Sequence, residues 1–252
     1  MIKVILSGCN GRMGRVINGL ISAQEDMMVV AGIDINTSVQ NPYPVFSTAD
    51  TFEGDGDVVV DFSHPSSLES VLNFANRKHI PIVIATTGLS PDQVGKIREV
   101  SKNLPVFYTA NMSLGVNLII DLVKRAAKVL QRDFDIEIIE KHHNQKVDAP
   151  SGTALYIADE ISSVLNYEAD YTYDRHSQRK KRGKTEIGIH AIRGGTIVGD
   201  HEVIFAGNNE TIEIKHSASS REVFGYGAVA AIRFIVKQGN GLYNMSDYVN
   251  SF

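Results

Sequence analysis

Along residues 1 to about 110, short continuous apolar runs alternate with stretches whose apolar positions recur at helical spacing. The runs are Ile2–Leu6, Met28–Ile33, Val58–Phe62, Ile80–Ala85 and Val106–Tyr108. Between them, Met13–Ile21, Leu68–Ala75 and Val94–Val100 read as helices. Strands that are apolar on both faces and separated by helices predict a parallel sheet covered on both sides. A Rossmann-like α/β sheet of this kind takes its ligands beyond the carboxyl ends of the strands.

The pattern then changes. Val116–Leu130 reads as a long amphipathic helix, Phe134–Ile139 as an alternating strand and Thr153–Leu165 as a second helix. Three further strand-like runs follow, Ile187–Arg193, Ile197–Phe205 and Glu210–His216. Gly194-Gly195 and Gly207-Asn208-Asn209 separate them as tight turns, so successive strands are expected to pair antiparallel. This half is predicted to be α+β, with an open mixed or antiparallel sheet whose uncovered face pairs with another subunit. Val223–Val236 forms a last helical pattern that is expected to return to the first domain. The expected division is 1–112 with 222–252 as a dinucleotide-binding domain, and 113–221 as a substrate-binding and oligomerisation domain.

Composition narrows the classes. A net charge of −4 argues against a nucleic-acid binder held by bulk charge. The basic run Arg179-Lys180-Lys181-Arg182 is therefore expected to be a solvated loop. Cys9 is the single cysteine, which rules out an intrachain disulfide and any multi-cysteine metal site. With no apolar segment of membrane-spanning length and no secretory leader pattern, a cytoplasmic protein without membrane attachment is expected.

Candidate chemistry starts at the first strand's end. Gly8-Cys9-Asn10-Gly11-Arg12-Met13-Gly14 has the spacing Gly-x-x-Gly-x-x-Gly and opens the first helix. A turn free of side chains lets a pyrophosphate approach backbone N–H groups at a helix start. Asp34 closes the second strand twenty residues beyond Gly14, where a carboxylate binds ribose hydroxyls. Ile35, with no cation, follows it, so NADH is favoured and NADPH remains possible. Ala85-Thr86-Thr87 and Thr109-Ala110-Asn111-Met112 close two more strands at the same edge, where they either contact the nicotinamide half or serve as turns.

The second concentration of chemistry is Glu140-Lys-His-His-Asn-Gln-Lys-Val-Asp-Ala-Pro-Ser-Gly-Thr-Ala154. His142, His143 and Lys146 precede a Ser151-Gly152-Thr153 helix start, so a proton donor, a fixed positive charge and an anion seat share one loop. Adjacent histidines on a strand end point to opposite faces, which speaks against a shared metal. Acid–base chemistry on an acidic substrate and ordinary surface histidines both remain open from the residues alone. So does the role of Arg221 in Ser219-Ser220-Arg221.

The glycine turn, Ala85-Thr-Thr-Gly88, Ala110-Asn111 and the 140–154 loop together resemble the 4-hydroxy-tetrahydrodipicolinate (dihydrodipicolinate) reductase family of diaminopimelate–lysine biosynthesis. The likeness runs nearly end to end. It implies NAD(P)H-dependent reduction of a cyclic imine dicarboxylate with loss of water, in a homotetramer. It also implies His142 as proton donor and Lys146 as second catalytic cation, with His143, Gly152, Thr153 and Arg221 at substrate positions. Gly8 to Met13, Asp34, Ala85 to Thr87 and Thr109 to Met112 fall on nucleotide positions. Met112 stands where an aromatic residue is common, and Ala85 replaces a frequent glycine, which matters only if that backbone needs a positive φ. The rival readings are another two-domain NAD-dependent dehydrogenase of a small acidic substrate, and a non-catalytic NADH sensor.

Overall fold

The structure is a computed structural model that describes residues 1–109 and 111–252. The chain divides into two compact units, Met1–Leu114 with Glu222–Phe252, and Gly115–Arg221.

The first unit begins with β1 (Ile2–Ser7), α1 (Arg12–Ser22), β2 (Met27–Ile33), β3 (Val45–Phe46), β4 (Val58–Asp61), α2 (Leu68–Lys78), β5 (Ile82–Ile84), α3 (Pro91–Val100) and β6 (Pro105–Tyr108). Local chemistry sets several of these boundaries. Ser90 and Gln93 form a reciprocal capping box ahead of Pro91. At the end of α2, His79 turns the chain left-handed at φ 52°. Alternation along β1 divides its side chains between two cores. Val4 and Leu6 pack on one face of the sheet with Ile17 and Ile21 of α1. Ile5 packs on the other with Leu68, Val71 and Leu72 of α2 and Ile97 of α3.

The second unit contains α4 (Leu114–Leu130, all but its first residue), β7 (Asp135–His142), α5 (Gly152–Ser162), β8 (Asp170–Thr172), β9 (Glu186–Arg193), β10 (Gly199–Ala206) and β11 (Thr211–Ala218). Its mixed sheet has the order β11-β10-β7-β9-β8. Ile136, Ile138, Ile187, Ile189, Val203 and Phe205 form one face and bury themselves with α4 and α5. The expected hairpin between the runs at 187–193 and 197–205 does not form. β7 lies between them, parallel to β9 and antiparallel to β10. Gly194-Gly195 instead spans the end of β7, where the Gly194 N–H donates to the His142 carbonyl at 2.9 Å. The turn glycines permit either path, and the edge of β7 supplies partners on both sides.

The chain then returns to the first unit as α6 (Glu222–Ile235), β12 (Gly241–Tyr243) and α7 (Met245–Val249). Ala228, Ile232 and Ile235 of α6 join the core beside α1. β12 adds a seventh strand, giving the all-parallel order β12-β6-β5-β4-β1-β2-β3. Among the described residues, no helix is long and apolar enough to cross a membrane.

The basic run is only partly solvated. Arg179, Lys180 and Lys181 are exposed, but the Arg182 side chain is 17% exposed and acts as a clamp. It donates to Asp135, Glu137 and the carbonyls of Ile136, Gly183 and Glu186. A guanidinium carries five donors in a fixed fork and can satisfy such a set. Arg182→Gln is therefore expected to cost about 2–4 kcal/mol of unfolding free energy. Arg179→Gln should stay within about 0.5 kcal/mol. Urea denaturation with equal midpoints for the two variants would contradict the clamp.

Candidate active site

At the carboxyl edge of the parallel sheet, the Gly8–Gly14 turn is shaped by backbone crowding. Gly8 adopts φ +78°, and a Cβ there would lie 2.7 Å from the Phe62 carbonyl oxygen. A Cβ on Gly14 would lie 2.1 Å from the Gly8 carbonyl oxygen, so α1 can seat on the turn only as glycine. Gly11 is the N-cap of α1 without a side-chain cap, and no acidic residue occupies the first turn. The first N–H groups of α1 thus lack intrahelical acceptors and favour an anion. Asp34 closes over the turn, accepting the N–H of Asn10 and of Asn36, each at 2.9 Å. A cleft of about 430 Å³ opens here, lined by Gly8, Gly11, Asp34, Thr48, Ser63 and Ser67 among others. The buried hydroxyl of Ser7, which also lines it, has no hydrogen-bond partner among the described residues. These features fit a dinucleotide.

The remaining candidates in this unit differ in accessibility. Arg12 is exposed, and Arg15 pins the turn by donating to the Asn10 carbonyl at 3.1 Å. The Cys9 thiol is buried, and burial followed by the charge of Asp34 pushes it up to about 11, so it is no nucleophile. Met13 is partly buried against the same core, and Met112 lies inside it, so the Met112 side chain packs rather than lines a crevice. Thr86 is buried and donates to the carboxylate of Asp61, to which Ser63 also donates. Thr87 is exposed, Ala85 has no positive φ, and Thr109 bonds with the backbone of Asn111. Ala110 lies outside the described residues.

In the other unit, β7 runs three residues beyond the predicted strand and carries Glu140, Lys141 and His142 in regular register. Glu140 is fully buried at the end of the inward row begun by Ile136 and Ile138. Arg193 of β9 binds it in a fork, at 2.6 and 2.8 Å. The Ser151 N–H donates to it at 3.0 Å, and His142 Nδ1 lies 2.6 Å away. Burial alone would raise this carboxyl, but Arg193, His142 and the Ser151 N–H hold it below its ordinary value. Arg193 also donates to the Asp148 carbonyl at 2.7 Å, tying down the loop. Ser151 caps α5 by accepting from the Ala154 N–H, which leaves Gly152 and Thr153 on the helix's first turn.

His201 of β10 completes the group. It is buried, stands edge-on to His142 with centroids 5.3 Å apart, and places Nε2 3.0 Å from the Ser151 hydroxyl. The His142 Nε2 lies over Gly199, where a Cβ would come within 3.1 Å. Lys146 pairs with Asp148 at 2.8 Å, and Asp148 is depressed chiefly by that bond. His143 is partly buried, and its carbonyl accepts the Lys146 N–H at 3.1 Å. Arg221 is exposed where the chain leaves the unit. The structure thus gathers His142, Lys146, Gly152 and Thr153 about one strand end, and adds Glu140, Arg193 and His201. The sequence pattern assigns these three no role, although Glu140 and His201 each continue a buried apolar row with a polar residue.

Comparison with known proteins places the chain in a family. Family models described as dihydrodipicolinate reductase, N-terminus, and dihydrodipicolinate reductase, C-terminus, match residues 2–112 and 115–249. The chain belongs to the dihydrodipicolinate reductase family. The 4-hydroxy-tetrahydrodipicolinate reductase of Caldanaerobacter subterraneus subsp. tengcongensis is 53% identical over 249 residues, 99% of this chain and 98% of the relative. That of Clostridium tetani is 51% identical, covering 100% and 98%. A dipicolinate-bound dihydrodipicolinate reductase from Paenisporosarcina sp. TG-14 superposes with a TM-score of 0.84 at 25% identity, over 97% of each chain. The DAP dehydrogenase of C. glutamicum, at 15% identity and a TM-score of 0.57, shares only the fold. Like other dihydrodipicolinate reductases, the chain has an NAD(P)H-binding N-terminal part.

His201 gives this site a pH dependence. Its burial, and next the nearby His142, lower it from 6.5 to about 4. The unfolded chain therefore takes up the proton first. The stability from a neutral buried ring is complete above 6.5 and drains as pH falls towards 4. Urea midpoints should drop between about pH 7.5 and about pH 5, and His201→Gln should flatten that drop. An unchanged slope in the variant would contradict it.

Proposed function

We infer that this chain is an NAD(P)H-dependent oxidoreductase that reduces 4-hydroxy-tetrahydrodipicolinate to tetrahydrodipicolinate with loss of water, in diaminopimelate and lysine biosynthesis. The observation that carries the reading is the assembly of His142, Lys146 and the α5 start at the end of β7. It occurs in a chain that matches this enzyme's relatives over its whole length.

The substrate is a dicarboxylate. Lys146, Thr153 and the first N–H groups of α5 seat one carboxylate by charge and hydrogen bonding, which requires the Lys146 ammonium to exchange Asp148 for substrate. His143, Gly152 and Arg221 complete the substrate contacts. The turn from Gly8 to Met13, Asp34, Ala85 to Thr87 and Thr109 to Met112 hold the coenzyme, which supplies a hydride, with Cys9, Thr86 and Met112 contributing backbone only because their side chains are buried. His142 gives the proton that balances the charge left on the ring, with Lys146 as the second cation. Positioned proton transfer contributes about 10² to 10⁴ in rate.

NADH is the preferred coenzyme. The cleft before Asp34 is lined by hydroxyl groups, with no lysine or arginine among its described lining residues to neutralise a 2′-phosphate. The enzyme acts in the cytoplasm as a homotetramer. The uncovered face of the second sheet carries Ile139, Ile192 and Ile204 among charged residues, and this face joins the subunits.

A coupled assay, feeding the product of dihydrodipicolinate synthase and following loss of NADH absorbance, should show turnover. His142→Gln should lower kcat about 100-fold while leaving NADH affinity nearly unchanged. Loss of NADH binding instead would make His142 a structural residue. A lower kcat/KM with NADPH is expected in the same assay, and a strong NADPH preference would refute the coenzyme assignment. A monomer at every concentration in a dilution series would remove the tetramer.

A further inference from the structure

We propose that Glu140 is a positioning residue for His142, fixing the imidazole so that Nδ1 keeps its hydrogen and Nε2 alone exchanges a proton, and that Arg193 holds Glu140 ionised and aimed for this task. The inference rests on the reading of His142 as the proton donor and deepens it.

A carboxylate accepts and never donates. Glu140 has no exposed surface, and three of its bonds come from groups that can only donate: two Arg193 nitrogens and the Ser151 N–H. The Arg193 charge and these donors hold the carboxyl ionised, so it has no proton to offer the ring. The fourth contact, His142 Nδ1 at 2.6 Å, is therefore an N–H donated to an anion. That hydrogen stays in place whether the ring is neutral or charged. Nε2 is left as acceptor in one form and donor in the other.

The rest of the enclosure restricts the ring without competing for Nδ1. His201 packs edge-on against His142 and directs its own Nε2 to the Ser151 hydroxyl. On the Nε2 side, Gly199 offers no side chain. Arg193 reaches past Glu140 to the Asp148 carbonyl, so the same cation that fixes the acid partner also sets the loop bearing Lys146. In the reaction, Nε2–H breaks and its proton passes to the reduced ring. A neutral Nδ1–H imidazole remains, and it recovers one proton from water.

The test combines kinetics with a spectrum. Glu140→Gln should lower kcat about 100-fold with KM within about threefold, and Glu140→Asp should restore at least about tenfold of that loss. Placed on His142→Gln, Glu140→Gln should add almost nothing, because the two act as one unit. An undiminished kcat, or a full additional loss in the double variant, would overturn the proposal. Where Glu140→Gln fails to fold, the unaltered enzyme decides. Its imidazole ¹⁵N spectrum, with His142 assigned by the His142→Gln spectrum, should show neutral His142 as the Nδ1–H tautomer, and an Nε2–H tautomer would overturn the idea. Full turnover in His142→Gln would instead refute the donor role itself, which separates that failure from a failure of Glu140.

Discussion

Glu140 carries a charge into the interior of the smaller unit, and the need to match that charge inside the protein draws four segments together. Left unpaired, a buried carboxylate costs several kcal/mol (about 3–5 when a partner is lost). Here β9 supplies Arg193, the start of α5 supplies the Ser151 N–H, and β7 supplies His142. The 143–151 loop is anchored through the Asp148 carbonyl on the same guanidinium. Because each partner belongs to a rigid element, satisfying one carboxylate fixes the direction of the histidine, the loop and the helix start together.

The larger unit solves a different problem with backbone alone. Gly8 and Gly14 remove side chains where the turn meets Phe62 and where α1 meets the turn. The Asp34 carboxylate accepts the N–H of Asn10 in the turn and of Asn36 two residues on. A helix start without a side-chain cap and a carboxylate therefore stand at neighbouring strand ends, the edge where open parallel sheets take ligands. Buried and held as a thiol by that burial, Cys9 adds packing rather than reactivity.

Much of this was legible in the residues. Continuous apolar runs such as Val58–Phe62 located the parallel strands, and helical spacing located α1, α2, α4, α5 and α6 within a few residues. The short edge strands β3, β8 and β12 left no such signal, since two or three residues carry no period. The placement of β7 between β9 and β10 was not legible either. Gly194-Gly195 has hairpin chemistry, and only the competition of β7 for both partners decides against the hairpin. Arg182 looked like part of a solvated run because charge patterning does not reveal the acids and carbonyls gathered around one member. The clearest missed signal was strand alternation itself. Ile136-x-Ile138 leads to Glu140 and Phe205-x-Val203 back to His201, while Arg193 lies in line with the buried Ile187 and Ile189 beyond an exposed Ala191. Two buried rows change from apolar to polar at one end of the sheet, which marks a buried polar cluster.

Reduction by this chain requires the loop after β7 to seat the substrate's acidic groups. A crystal structure of the enzyme with NADH and the dicarboxylate dipicolinate tests this most directly. It should place one carboxylate within about 3.2 Å of Lys146 Nζ and of the first N–H groups of α5, with His142 Nε2 turned to the ring. A dicarboxylate bound elsewhere, with His142 and Lys146 clear of both it and the coenzyme, would contradict the account.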